Sequence, residues 1–206
     1  MVLKNLFRII SNYKLFTILI VYFEFIYLIK GYKGNKFNFS NNKLMTDNIP
    51  CPYYFLYRIK KTLQNYNFNK FIDLGCGSGR AIDFFNKNFP NKSLLGVEYF
   101  DEQFTYSKRI FEKDSNINII KSDFTKIDLP LLDADCYFLN DPFSKSVDFI
   151  SFIEKAVKSS LEKKTLFIFV NCDKKIISSL KNLQYIESYY LHEKKGYSIY
   201  CSNYPN

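Results

Sequence analysis

Histidine is almost absent from this 206-residue sequence, which contains His192 and no other. No C-x-x-C pair and no Cys/His cluster occurs either. Structural zinc sites need four closely spaced ligands of these two types, and a disulfide framework needs cysteines that pair. The sequence therefore predicts no metal site. It predicts buried, reduced thiols typical of a cytosolic protein at all five cysteines, Cys51, Cys76, Cys136, Cys172 and Cys201.

A hydrophobic run long enough to demand a membrane span is also missing. The apolar run LFTILIVYFEFIYLI (15–29) would cover about 22 Å as a helix, against about 30 Å of hydrocarbon in a bilayer. Three interpretations compete. A secretory signal is the weakest, because no small-residue cleavage site follows. The flanking Lys14 and Lys30 and the many aromatic residues favour a membrane-associated helix or a short anchor. Glu24 favours a helix that packs on the protein, because a charge at bilayer depth is costly.

Excess positive charge is missing from most of the chain, although the whole carries +9. Residues 1–60 hold nine Lys/Arg and two acids, a net charge of +7, so residues 61–206 are nearly neutral. A nucleic-acid enzyme is expected to concentrate positive charge around its cleft. We therefore predict no nucleic-acid partner. An anionic membrane surface is a candidate partner of residues 1–30. We predict a cytoplasmic protein, either free or attached to the cytoplasmic face of a membrane.

Strands and helices alternate from about residue 50 onward. The pattern predicts strands over 70–74, 93–99, 117–123, 134–141 and 165–171, and helices over 52–66, 80–89, 101–112, 145–162 and near 173–181. Two final strands, LQYIESYYLHE and GYSIYCSNY, are joined by a charged turn. This order predicts an α/β fold with a Rossmann-like sheet, mostly parallel with a closing antiparallel hairpin, and helices on both faces. Residues 1–49 would form an N-terminal helical arm and linker, and residues 50–206 the main domain.

A glycine-rich turn follows the first predicted strand, in FIDLGCGSGR (71–80). Its glycines are Gly75, Gly77 and Gly79, and no Lys-Ser/Thr pair follows them, so the turn is not a P-loop. Asp73 lies at the carboxyl end of the strand, where open α/β sheets bind ligands. A carboxylate there would repel phosphate and suits a cationic amino group.

Acidic residues also end the next two predicted strands. Glu98, in GVEYF, is placed to accept hydrogen bonds from both hydroxyls of a ribose. Asp123, in KSDF, is placed to accept from an adenine amino group. Three consecutive strands that end in an acid, behind a glycine turn, indicate a nucleoside ligand that carries a positive charge.

The chain resembles the class I S-adenosylmethionine-dependent methyltransferases. DLGCGSGR is similar to their first motif, GVEYF to the acidic motif that follows it, and KSDF to the adenine-contact motif; the resemblance covers about residues 50–205. It implies that residues 50–206 form a methyltransferase domain with S-adenosyl-L-methionine as cofactor. It also implies that Asp73 holds the methionine amino group and Glu98 the ribose.

PYYFL and YFLNDPF more narrowly resemble segments of small bacterial methyltransferases, which carry Pro-Tyr ahead of DLGSGKGR and Tyr-Asn-Pro-Phe later. This resemblance implies that Asn140 and Asp141 orient the methyl acceptor, with Asp141 as the candidate to take its proton, and that Phe143 stacks on the substrate. Tyr53 and Tyr54 are candidates to lie over the cofactor as part of a lid. Here Asp141 stands where Asn is expected, with Asn140 just before it. Residues 140–143 also align to the Asn/Asp-Pro-Pro-Tyr/Phe segment of amino-methylating members, with Asp141 in place of the first Pro, a substitution that argues against a DNA-adenine substrate. An ordinary strand-to-helix turn is the competing interpretation of the segment.

The expected function is therefore methyl transfer to a protein side chain or a small molecule. Two alternatives remain open at this point. One is a non-catalytic interaction protein built on the cofactor-binding fold. The other is an enzyme that uses a different nucleotide cofactor, such as a dehydrogenase.

Overall fold

The computed structural model describes residues 16–34, 50–127, 133–141, 147–160, 163–192 and 195–202. Strands in these ranges are β1 Lys70–Leu74, β2 Ser93–Glu98, β3 Ile117–Lys121, β4 Cys136–Asn140, β5 Leu166–Val170, β6 Leu183–His192 and β7 Lys195–Ser202. They form one sheet in the order β3-β2-β1-β4-β5-β7-β6. The first five strands are mutually parallel, and β7 runs antiparallel between β5 and β6. The predicted parallel sheet with a closing hairpin is confirmed.

The helices alternate with the parallel strands as predicted. They are α1 Thr17–Ile29, α2 Tyr53–Leu63, α3 Arg80–Asn88, α4 Asp101–Ile110, α5 Val147–Ser159 and α6 Lys174–Ser179, with a short 3-10 turn at Phe124–Lys126. Most are a few residues shorter than the apolar pattern indicated. The difference lies at their ends, where the chain leaves helical geometry before the pattern stops.

Two hydrophobic clusters cover the two faces of the sheet. Phe71, Phe138 and Ile168 belong to the cluster shared with α2 and α3, whereas their strand neighbours, such as Ile72 and Phe167, belong to the cluster shared with α5 and α6. Successive side chains of a strand point to opposite faces, so a strand covered on both sides must be apolar throughout. This explains the continuous apolar runs of the central strands and confirms helices on both faces.

Helix α1 packs its inner face on α2. Ile20 and Tyr27 are buried in the same cluster as Phe71, and the ring of Tyr27 stacks on Tyr53 with 4.8 Å between centroids. Residues 15–29 therefore include a helix that packs on the domain through one face. Among the described helices, none has the length and apolar content to cross a membrane. The predicted division of the chain at residues 49 and 50 stays a prediction.

Candidate active site

The carboxyl ends of β1, β2 and β3 bring the three predicted acids to one edge of the sheet. Asp73 lies opposite Gly96 in the parallel register of β1 and β2. The backbone N–H of Ser122, next to Asp123, donates to the carbonyl of Glu98 at 3.0 Å. Adjacent parallel strands end together, so residues that are 25 or more positions apart in the chain become neighbours here.

The glycine turn has the geometry that its sequence predicts. Gly75, Gly77 and Gly79 all have positive φ angles, of 81°, 55° and 84°. A Cβ at Gly79 would also lie 2.4 Å from the ring of Phe111, so a side chain there meets both backbone strain and a clash. The N–H groups of Gly75 and Cys76 both donate to the Val97 carbonyl, which ties the turn to β2.

Glu98 holds the glycine turn against the start of α4. Its Oε2 accepts from the N–H of Gly77 at 2.7 Å, and its Oε1 accepts from the N–H groups of Tyr99 and Phe100, both at 2.8 Å. Burial raises the pKa of Glu98, and these hydrogen bonds act in the opposite direction. A carboxylate has about four lone-pair sites, so one remains for a further donor. The predicted ribose contact of Glu98 stays a prediction, with room for one hydroxyl while all three bonds persist.

Asp73 is a buried carboxylate, 3% exposed. Among the described residues it has no hydrogen-bond or ion-pair partner, and its pKa is raised well above the usual range by burial and by the nearby charge of Glu98. Burying a carboxylate without a partner is costly. An ammonium group placed beside Asp73 would offset that cost, so this side chain fits the amino group of a methionine-derived cofactor.

Asp123 caps the 3-10 turn that follows β3. Its Oδ1 accepts from the backbone N–H and the hydroxyl of Thr125, at 3.1 and 2.7 Å, and its Oδ2 lies 3.2 Å from the ammonium of Lys126. Partial burial raises the pKa of Asp123, but the bonds from Thr125 and Lys126 outweigh it and lower the pKa below its usual value. The carboxylate is thus ionised and engaged locally, and its predicted contact with adenine stays a prediction.

Tyr54 and Phe143 are aromatic residues that the sequence predicted to contact the cofactor or the substrate. Tyr54 lies among aromatic side chains, with its ring 5.2 Å from that of Phe23 and its hydroxyl 3.2 Å from the hydroxyl of Tyr189. Its neighbour Tyr53 lies under the guanidinium of Arg80, at 4.5 Å from the ring centroid. The role of Tyr54 in covering the cofactor stays a prediction. Phe143, the predicted substrate contact, lies outside the described residues.

A group of polar side chains ends β4 and β5, where the methyl acceptor was predicted to bind. Asn140 Oδ1 accepts from Asn171 Nδ2 at 3.0 Å, and the N–H of Asp141 donates to the Val170 carbonyl at 2.9 Å. Asp141 and Asn171 both have left-handed backbones, with φ angles of 46° and 54°. Strained backbones of this kind gather at binding sites.

Asn171 is the residue of this group that the sequence reasoning missed. Its side chain is buried, and no hydrogen bond reaches its Oδ1 within the described ranges. A signal was present, because Asn171 directly follows the buried strand LFIFV, just as Asp73 closes an apolar strand. An open acceptor oxygen at the carboxyl end of β5 is suited to receive an N–H or O–H from a ligand.

The back of the glycine turn is held by α1 and by residues just after it. Arg80 Nη1 donates to Glu24 Oε2 at 2.8 Å, and the hydroxyl of Ser78 donates to the carbonyl of Gly34. The N–H of Lys33 donates to Asp83 Oδ2 at 2.6 Å. These contacts join positions 44 to 56 residues apart, so a local sequence pattern could not predict them.

The described residues show neither reactive cysteines nor a cluster of metal ligands. All five cysteines are free and buried, and burial raises their pKa values, so their thiols stay protonated and unreactive. Within the described ranges, no three His, Cys, Asp or Glu side chains lie together as metal ligands would.

Residues 71–159, from β1 to the end of α5, match a family described as "Methyltransferase domain". This stretch contains the glycine turn and the acids at the ends of β1, β2 and β3. This segment is a methyltransferase domain, and the enzyme is accordingly an S-adenosylmethionine-dependent methyltransferase. Its cofactor is S-adenosylmethionine, as the sequence predicted. The family match favours a methyltransferase over a dehydrogenase or a non-catalytic interaction protein.

Solved structures share the methyltransferase fold. A SAM-dependent methyltransferase from Aquifex aeolicus superposes with a TM-score of 0.52 at 14% identity, over 69% of this chain and 87% of that one. The N-terminal domain of EvdMO1 with SAH bound gives 0.54 at 9%, over 73% and 81%. PH0226 from Pyrococcus horikoshii OT3 gives 0.55 at 12%, over 73% and 89%. At these identities the likeness concerns the fold. No curated protein matches the chain.

Proposed function

We propose that this methyltransferase transfers the methyl group to a nitrogen atom of a protein side chain or a small molecule. The observation that carries the proposal is the set of oxygens at the ends of β4 and β5. Asn171 Oδ1 is buried and open to a donor, and the Asp141 carboxylate follows directly after Asn140. Oxygens grouped in this way suit an acceptor that presents N–H bonds.

Methyl transfer requires mainly that the methyl donor and the acceptor be aligned. S-adenosylmethionine, when bound, supplies an electrophilic methyl group on a sulfonium. Asp73, Glu98 and the glycine turn hold the cofactor, and the β4 and β5 ends hold the acceptor beside it. Holding two reactants in line removes most of the entropic part of the barrier.

A nitrogen acceptor must also present a lone pair and lose a proton. Asn171 Oδ1 orients one N–H bond, and Asp141 orients a second or receives the departing proton, which a carboxylate in hydrogen-bond reach is able to do. Asn140 positions Asn171, because the two amides are joined by the 3.0 Å bond. Asn140 would then act through Asn171 as well as through direct contact.

The charge distribution supports a protein or small-molecule acceptor. Residues 61–206, which contain the whole sheet, carry a net charge of only +2. Phosphate contacts supply most of the affinity of nucleic-acid enzymes, and they need clustered Lys and Arg. Such a cluster is not expected from this balance, so a nucleic-acid acceptor is disfavoured.

The test uses S-adenosylmethionine with a labelled methyl group. Purified enzyme is incubated with a lysate, and the label is followed into protein, small-molecule and nucleic-acid fractions. We expect label in protein or small molecules that survives mild base, which excludes methyl esters, and that acid hydrolysis and chromatography recover as N-methylated products. Recovery as methyl ethers would contradict a nitrogen acceptor. Label confined to nucleic acid, or released by base as methanol, would contradict the proposal.

The site assignment has a matched control. Asn171→Ala and Asn182→Ala both place alanine on a left-handed backbone, with φ angles of 54° and 60°, but Asn182 is exposed on a turn. We expect Asn171→Ala to lower methyl transfer by about 10-fold to 100-fold while cofactor binding persists. Asn182→Ala should keep the parent rate. Equal rates for the two variants would remove Asn171 from the site.

A further inference from the structure

Helix α1 carries an apolar stripe on the face that points away from the domain. Ile18, Tyr22, Phe25 and Ile29 follow the spacing i, i+4, i+7, i+11, which places them on one side of a helix. They are exposed by 82%, 56%, 62% and 69%. Of eight exposed large hydrophobic residues in the described part of the chain, six lie at positions 16–29. Soluble surfaces rarely concentrate apolar side chains in this way, so the stripe marks a binding surface.

The one acid of α1 is turned away from this stripe. Glu24 accepts from Arg80 at 2.8 Å and from the N–H of Tyr53 at 2.9 Å, both on the inner side. It is also the only acidic residue among positions 1–46. The charge that argued against a membrane in the sequence is thus neutralised inside the protein. The outer stripe can therefore contact another surface without placing an acidic side chain against it.

Basic residues surround the stripe on both sides in sequence. Lys30 is exposed at the end of α1. Just beyond it the Lys33 side chain is 44% exposed, but its ammonium pairs with Asp114 at 3.3 Å, so Lys30 is the stronger described candidate for a headgroup contact. The sequence adds further bases before and after the helix, at Lys4, Arg8, Lys14, Lys36 and Lys43. An apolar, aromatic helix face flanked in sequence by an excess of bases is the pattern of a helix that lies in an anionic lipid interface.

We propose that α1 docks this stripe on an anionic lipid surface, with the helix lying in the plane of the interface. The described helix has 13 residues, fewer than the roughly 20 that a span needs. Tyr22 and Phe25 would enter the headgroup boundary, and the flanking lysines would contact anionic headgroups. A second copy of the chain is a poorer occupant, because it would bring the same basic segments to face each other.

The test is flotation of the full-length enzyme on a density gradient with vesicles. We expect it to float with phosphatidylcholine vesicles that contain phosphatidylserine, and to remain at the bottom with phosphatidylcholine alone. High salt should release it, because the headgroup attraction is screened. An enzyme that stays at the bottom with the anionic vesicles at low salt would overturn the proposal.

Matched tyrosines locate the surface. Tyr22 and Tyr185 are 56% and 58% exposed, on α1 and on the edge strand β6. Tyr22→Ser combined with Phe25→Ser should weaken vesicle binding by about tenfold or more, since burial of each ring is lost. Tyr185→Ser should bind as the parent does. Thermal melting of both variants checks folding, and these exposed positions should leave it intact.

Two further outcomes would overturn the assignment. If the α1 double variant binds vesicles as tightly as the parent, the stripe is not the docking surface. If the parent sediments as a dimer without vesicles and the double variant as a monomer, a second copy covers the stripe.

Discussion

The contact between Glu24 and Arg80 joins α1 to the cofactor turn, and Glu24→Gln tests how much it contributes. Glutamine keeps the length of the side chain and one carbonyl oxygen, but it removes the charge that faces Arg80. The Arg80 side chain is 6% exposed and that of Glu24 is 22% exposed. The variant therefore leaves a nearly buried guanidinium beside a neutral amide.

The expected loss follows from this burial. Hydrogen bonds to charged groups contribute about 1.5–3 kcal/mol, and breaking a fully buried ion pair costs about 3–5 kcal/mol. Glu24 is partly exposed, so water relieves some of the penalty, and we expect a decrease of about 2–3 kcal/mol in the free energy of unfolding. For a chain of this size each kcal/mol lowers Tm by about 2–4 °C, so Tm should fall by about 4–12 °C.

The assay is thermal and urea unfolding of the parent, Glu24→Gln and Glu112→Gln. Glu112 is exposed, so its variant controls for the loss of one negative charge. A double-mutant cycle with Arg80→Gln isolates the pair, and its coupling energy should be about 1 kcal/mol or more. If Glu24→Gln has the same Tm as the parent, the ion pair contributes no more to stability than a surface salt bridge does, and the reasoning from burial is refuted.

Four other predictions concern the cofactor site. Cofactor affinity should rise with pH through the raised pKa of Asp73, because the ammonium group binds only the ionised carboxylate; calorimetry that shows no pH dependence or proton release would contradict this. The stability of the free enzyme should change in the opposite direction. Because the pKa of Asp73 is higher in the folded than in the unfolded state, the free energy of unfolding falls as pH rises between these two pKa values. Asp73→Asn should therefore raise Tm at neutral pH, and it should weaken cofactor binding by about 10-fold to 100-fold. Gly79→Ala should destabilise more than Gly31→Ala in urea unfolding, because both have positive φ but only Gly79 faces Phe111, and equal losses would mean that the ring moves aside. Glu98→Ala should weaken cofactor binding by calorimetry, because the N–H groups of Gly77, Tyr99 and Phe100 lose their acceptor, and unchanged affinity would refute its role.

The local pattern was sufficient to predict the elements of the sheet and the position of its acids. Apolar strands of about five residues, separated by helices, predict a parallel sheet covered on both faces, because such strands are buried on both sides. The same rule predicts that Asp73, Glu98 and Asp123 meet at one edge, since parallel strands end together. These features depend on short stretches of chain, and the structure confirms their placement.

Hydrogen bonding by those acids could not be predicted in the same way. Glu98 uses most of its capacity on backbone N–H groups, and Asp123 is held by Thr125 and Lys126. Asp73 alone of the three has no partner within the described residues. The residue types were identical in kind, and the difference arises from which backbone groups the folded turns place beside each carboxylate.

Residues 15–29 show most clearly what each level of description decides. The sequence by itself determined that this segment is an apolar run too short to demand a membrane span, with bases at both ends and one acid inside. It did not determine which way the acid points. Tertiary packing decided that, because Glu24 meets Arg80 and Tyr53, which lie 56 and 29 positions away. A helix periodicity separates two faces, but only the burial of one against the domain decides which face remains for solvent or lipid.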